Sequence, residues 1–222
     1  MNELLFFIHF AAIAAFLFIA LKTGKHALFT LLIMSVILGN LFVLKEITLF
    51  GLTVTATEPF TITSMVALGI MHEFHGDKTA TQGLSIMLLT LSFLTIMSYL
   101  QILYTPSPVD QFHSHYEALL SPSPRILLSS IFVAVSMQAL NLGLLKFSKK
   151  SLPKVPFAIR QTVILLAVQL IDTICFSFCA LYGIMHNLTH IIVMSYAIKV
   201  ITIGAMSPLL GLIKRADVQS PS

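Results

Sequence analysis

"IRQTVILLAVQLIDTICF", residues 159 to 176, is a run of Ile, Leu, Val, Phe and Cys with one carboxylate, Asp172, set inside it. With its flanks the run reaches the roughly 20 residues that cross a hydrocarbon core of about 30 Å at 1.5 Å per residue. In water Asp172 would be unremarkable, and in hydrocarbon it would be expensive. The composition decides between the two solvents. Hydrophobic residues are 57% of the 222 and charged residues only 10%, and the mean hydropathy is +0.93, whereas a soluble domain carries about 25% charge. So little charge cannot cover a surface in water, so most of this surface faces lipid.

Seven segments have the apolar length of a span, at about 3–21, 26–44, 58–75, 82–104, 125–147, 158–183 and 188–213. They predict an all-α transmembrane bundle of six to seven helices, one polytopic membrane domain over 1–222 with a short cytoplasmic tail at 214–222. The first run has no Lys or Arg before it and exceeds a signal-peptide core, so it is expected to be a retained helix. Under this count one side holds Lys22, Lys25, Lys78, Lys146, Lys149, Lys150, Lys154, Arg160, Lys214 and Arg215, ten of the thirteen basic residues. Short cytoplasmic loops retain Lys and Arg, which puts the N-terminus outside and the C-terminus in the cytoplasm. The net charge of +4 is scattered between apolar runs rather than gathered in a patch, so nucleic acid is not an expected partner.

Two connections exceed a tight turn. "KEITLFGLTVTAT", residues 45–57, alternates apolar and polar residues with β-branched side chains and predicts a short extended or hairpin segment at the outer face. "TPSPVDQFHSHYEALLSPSP", residues 105–124, has two Pro-x-Pro pairs around an amphipathic piece and predicts an irregular external loop with room for a surface helix.

Function is sought in polar residues at membrane depth, each of which costs about 2.5–3.5 kcal/mol at a helix centre and usually faces the bundle interior. Asp172 and Lys199 fall at similar depth in the last two segments, which run antiparallel if they are neighbours. They form either a structural ion pair that sets register or a pair that a ligand splits. Gln169 lies three residues before Asp172 on the same helical face and adds an amide. Asn40 and Thr173 are further candidates. Gln138 and Asn141 read more simply as helix-to-helix hydrogen bonds. Glu58-Pro59 opens the third segment, where an acid and a first-turn proline also serve as a helix start. Phe176, one turn after Asp172, is a packing residue or a stacking face.

The histidines do not form a metal motif. "HEFH" at 72–75 puts its histidines three apart, where the zinc helix needs i and i+4. His186 and His190 have that spacing but straddle an expected turn, so surface positions are the default for the histidines. With no Gly-x-Ser-x-Gly, Walker-type loop or Cys-x-x-Cys pair, neither enzyme chemistry nor a cofactor is expected.

The quoted stretch, with Arg160 ahead of Gln169, Asp172 and Thr173, resembles the VUT family of integral membrane proteins, described as queuosine precursor transporters. "SYAIKVITIGAMSPLLGLI" looks like that family's final helix, with Tyr196, Lys199 and Pro208 in place. "GNLFVLKEITLFGLTVTATEPF" is similar to its segment with Asn40, Lys45 and Pro59, and "HEFHGDKTA" to the turn after its third helix. The chain departs where the family carries an Asp before that turn and this sequence has Gly69. The arginine after the turn is also replaced, by Thr81 and Gln82.

The resemblance implies import of 7-deazaguanine-type bases or queuine across the cytoplasmic (inner) membrane of a bacterium. Asp172 would accept the paired N–H donors of the base, and Gln169, Asn40 or Lys199 would donate to its carbonyl. Energy would come from a gradient, from trapping inside or from a partner ATPase, and a homo-oligomer stays open. Two readings of other classes are a cation or metal transporter and a non-transport membrane scaffold.

Overall fold

The computed structural model describes residues 1–42, 45–55, 57–120, 124–183 and 188–215. Apolar helical rods build it, in keeping with the expected all-α bundle. Helices α1 (Asn2–Thr23) and α2 (Lys25–Leu41) are joined by Gly24, whose φ of 115° reverses the chain without the penalty a side chain would bring. After them come β1 (Glu46–Leu49) and β2 (Leu52–Thr55), α3 (Glu58–Ile102), α4 (His113–Leu120), α5 (Pro124–Ser151), α6 (Phe157–Phe176) and α7 (Leu188–Arg215). A π-helical turn, Ser177–Leu181, extends α6.

The strands form an antiparallel hairpin with Glu46 opposite Thr55. Its tip is Phe50-Gly51, both at positive φ, the primed turn that matches strand twist. Asn2 donates to the Thr48 carbonyl at 3.0 Å, and the Phe50 N–H donates to Glu3 at 3.2 Å. The hairpin is thereby tied to the start of α1, and it leads three residues later into Glu58.

Segments three and four are closer together than expected. No loop separates them, because the helix resumes at Asp77 after one residue, Gly76, at φ 85° and ψ 169°. Thr79 and Thr81 turn their hydroxyls onto the carbonyls of His75 and Asp77, so residues that read as loop formers are satisfied within a helix. The two arms fold back on each other. A Cβ on Gly83 would come within 2.9 Å of Leu68 Cδ1, so the second arm runs against the first at a glycine.

The first arm of α3 is the axis of the bundle, with Ile62, Met65, Val66, Ala67, Leu68, Ile70 and Met71 all buried. Large apolar residues elsewhere point outward, among them Phe16, Leu89, Phe93, Phe132, Val163 and Val193, as expected of a lipid-facing surface. Among the described residues four helices have the length and hydropathy of a span, namely Asn2–Thr23, Glu58–Ile102 with its two arms, Ile131–Ser151 and Phe157–Ala180. Lys25–Leu41 and Ile191–Gly204 are shorter apolar helices. The expected external loop contains α4, which buries nothing. Most of the expected tail, from 216 on, lies outside the described residues, as does His186.

Candidate substrate site

Side-chain contacts join three helices. Between α6 and α7, Tyr196 Oη donates to the Leu166 carbonyl at 3.2 Å, the hydroxyls of Thr162 and Ser207 are 3.0 Å apart, and Lys199 Nζ donates to Asp172 Oδ2 at 2.5 Å. Between α3 and α6, Gln169 Nε2 reaches Met65 Sδ at 3.1 Å and Arg160 Nη2 reaches Glu73 at 2.9 Å. Both pairs of helices are antiparallel, so residues of the three align in layers across the bundle.

The inner layer is neutral. Gln169 and Thr202 are fully buried, Gln169 against Met65 on α3 and Thr202 three residues after Lys199 on α7. Gln169 Oε1 and Thr202 Oγ1 are buried without a partner among the described residues. Thr173 is absorbed locally, its hydroxyl donating to the Gln169 carbonyl at 2.8 Å. The next layer is the Asp172–Lys199 pair, with side chains 15% and 9% exposed. One oxygen of Asp172 is used, and Oδ1 makes no hydrogen bond among the described residues. Toward the hairpin lies Glu58, buried, with Oε2 unpartnered among the described residues. Phe176 is half-buried and packs against the core.

Two other sequence candidates take simpler roles. Asn40 donates one amide N–H to the Val36 carbonyl within its own helix, at 2.9 Å. Gln138 and Asn141 make the expected helix-to-helix bonds, to Ser64 Oγ at 2.7 Å and to the Met65 carbonyl at 3.4 Å. The surface expectation fails for His72. Because the helix runs unbroken to His75, His72 is 2% exposed, and its Nδ1 lies 2.8 Å from Asp77 just past the Gly76 turn. Among the described residues no three His, Cys, Asp or Glu cluster closely enough to hold a metal ion.

Two features escaped the sequence reading. Glu73, read only as part of a failed zinc motif, is the anchor of Arg160, with Lys149 at 3.5 Å. Gln161 is fully buried beside Gly69, and both polar atoms of its amide are unpartnered among the described residues. A Cβ at Gly69 would land on that amide and within 3.2 Å of Leu145 Cδ1. The amide from α6 thus fills the space of the missing side chain. Gly69→Ala is expected to lower stability by about 1–3 kcal/mol through overpacking, because a fully buried Gln161 has nowhere to swing; that outweighs a helix-propensity gain of at most about 1 kcal/mol. Thermal denaturation in detergent checks it. Adding Gln161→Ala should recover most of the loss, and a neutral Gly69→Ala would show that the amide is not confined.

A cavity of about 830 Å³ opens elsewhere, at the corner of α2 and the second arm of α3, lined by His26, Phe29, Asp77, Lys78, Thr81, Gln82, Ser85 and Ile86. It belongs to the basic end of the bundle, where Lys146 donates to Thr81 and Lys149 to the Glu73 carbonyl.

Comparison with known proteins fits a polar cluster inside a membrane bundle. Residues 55–213 match the family model described as "Putative vitamin uptake transporter". The chain belongs to this family. It is a multi-pass membrane transporter of small vitamin-like molecules. It is also similar to a protein of Bacillus subtilis (strain 168) named "Probable queuosine precursor transporter", with 27% identity over 179 residues, 79% of this chain and 78% of the relative. No solved structure matches the chain. The family match begins at the last residue of the hairpin and takes in every layer of the cluster.

Proposed function

We propose that this transporter imports queuosine precursors, 7-deazaguanine-type bases or queuine, across the cytoplasmic membrane of a bacterium, and that Asp172 recognises the base. The carrying observation is the Asp172–Lys199 pair set one layer from the unpartnered Gln169 and Thr202. A guanine-like edge offers a ring N–H and an amino group side by side, next to a carbonyl. A carboxylate accepts such paired donors in a bidentate bond. Asp172 Oδ1 is available for them, Lys199 and Gln169 can donate to the carbonyl, and Thr202 adds a hydroxyl. Phe176 offers a ring at the same end. The name of the relative supports the substrate class, and the free valences of the inner layer suit a flat polar heterocycle better than a bare ion.

The orientation proposed is N-terminus outside. Lys25, Lys78, Lys146, Lys149 and Arg160 belong to one end of the bundle and the hairpin to the other, which is the asymmetry expected when the basic end faces the cytoplasm. The site then lies between α3, α6 and α7 and opens alternately to the two sides.

The test is salvage in a bacterial strain that neither makes queuosine nor imports its precursors. Supplied with each precursor base at low concentration, the strain should contain queuosine in its tRNA only when it carries this gene. Absence of queuosine despite correctly inserted protein would end this reading.

A further inference from the structure

The charge balance of the cluster constrains what completes it. Asp172 and Lys199 neutralise each other, with Nζ 2.5 Å from Oδ2. Glu58 adds a second carboxylate, 9% exposed, whose Oε2 is buried without a partner among the described residues. Its position follows from the register. Met65 lies against Gln169; Glu58 is two turns from Met65, about 10 Å along the axis, and Asp172 is about 4–5 Å beyond Gln169 in the same direction. Glu58 therefore sits roughly one turn, about 6 Å, past the ion pair, on the hairpin side.

Glu58, Asp172 and Lys199 lie within electrostatic range of one another. Both carboxylates lie near enough to Lys199 for charge interaction. His9 of α1 packs edge-on against Phe60, two residues from Glu58, at 4.9 Å. With Glu58 ionised, two acids and one base leave one negative charge, and an uncompensated ion inside a bundle costs several kcal/mol, so the charged carboxylate calls for a cation beside it. The unpartnered neutral groups, Gln169 and Thr202, belong to the inner layer of the cluster.

We infer that the site selects a base carrying one protonated amine, with Asp172, Lys199 and Gln169 holding the heterocycle and the Glu58 carboxylate receiving the ammonium. This rests on the site assignment under Proposed function and narrows its substrate class to monocations. The cluster is then neutral when loaded, and a neutral analogue of the same shape leaves Glu58 unpaired. A charged donor to a buried carboxylate forms the stronger class of hydrogen bond.

The experiment uses two probes that differ at one substituent, 7-aminomethyl-7-deazaguanine and 7-cyano-7-deazaguanine, titrated calorimetrically into the purified full chain in detergent. The wild type should bind the amine at least tenfold tighter than the nitrile. Glu58→Gln, the isostere of a protonated glutamic acid, should remove that preference by weakening the amine at least tenfold, and an unchanged thermal midpoint in detergent shows that the variant is folded. Equal affinities in the wild type, or an amine preference that survives Glu58→Gln, would overturn the inference and leave the transport reading standing. Loss of both ligands in Glu58→Gln would make Glu58 a structural residue and likewise overturn it. Binding of neither probe by the wild type would remove the transport reading and this inference together.

Discussion

Lys199→Met is expected to abolish precursor uptake and to lower the thermal midpoint by about 10 °C, whereas Asp172→Leu in the same chain should restore the midpoint and leave uptake at background. The argument starts from the cost of burial. Asp172 and Lys199 are 15% and 9% exposed and share a 2.5 Å hydrogen bond. Deleting one partner of a buried pair costs about 3–5 kcal/mol, because the other charge stays behind; replacing both by apolar side chains is often neutral or stabilising. At roughly 2–4 °C per kcal/mol for a chain of this size, the single change reads as about 10 °C and the double as little. Stability alone cannot explain why such a pair is present. If it serves only register, the apolar double variant is stable and still transports. If Asp172 reads the base, the variant is stable and inactive. Denaturation in detergent beside uptake in the queuosine-deficient strain separates the two, and transport by the double variant would sink the recognition role.

What could be read from the sequence depended on the range of the interaction. The rods are legible because length and hydropathy are local, and the hairpin because alternation and Phe50-Gly51 sit within a dozen residues. The Asp172–Lys199 pair was legible because adjacent antiparallel helices of similar length bring their middles together. Glu73 was not, since its partner Arg160 lies 87 residues away on α6 and nothing nearby marks the pairing. Gln161 was hidden for a similar reason. A buried amide is predictable only once Gly69 is known to face it, and that depends on how two helices pack. For Asn40 the sequence does not reveal that an amide in an apolar helix has a local partner, the carbonyl four residues back, to which it donates here. The missing loop after His75 was misplaced because one glycine suffices for a reversal that composition spreads over several polar residues.

Glu73→Gln should cost about as much as breaking the central pair, while Lys149→Gln should cost almost nothing, although both remove an ion pair of the same carboxylate. Arg160 is the reason. Its side chain is 4% exposed against 43% for Lys149, and a guanidinium cannot shed its proton to escape burial. Without Glu73 it keeps only the bond from Nε to the Val155 carbonyl, at 3.1 Å, while Nη1 already lacks a partner among the described residues. About 3–5 kcal/mol is the expected loss. Lys149 is half in solvent, where such pairs are worth about 0–1 kcal/mol, and its second bond, to the Glu73 carbonyl, is indifferent to the side chain. Thermal midpoints in detergent should therefore fall by about 10 °C for Glu73→Gln and by no more than about 3 °C for Lys149→Gln. Equal losses would mean that burial of Arg160 is not what sets the cost. The pair also fastens the end of the first arm of α3 to the start of α6, two turns from where Met65 meets Gln169. Uptake per folded molecule should fall in Glu73→Gln as well, because the register that builds the site is held from this end.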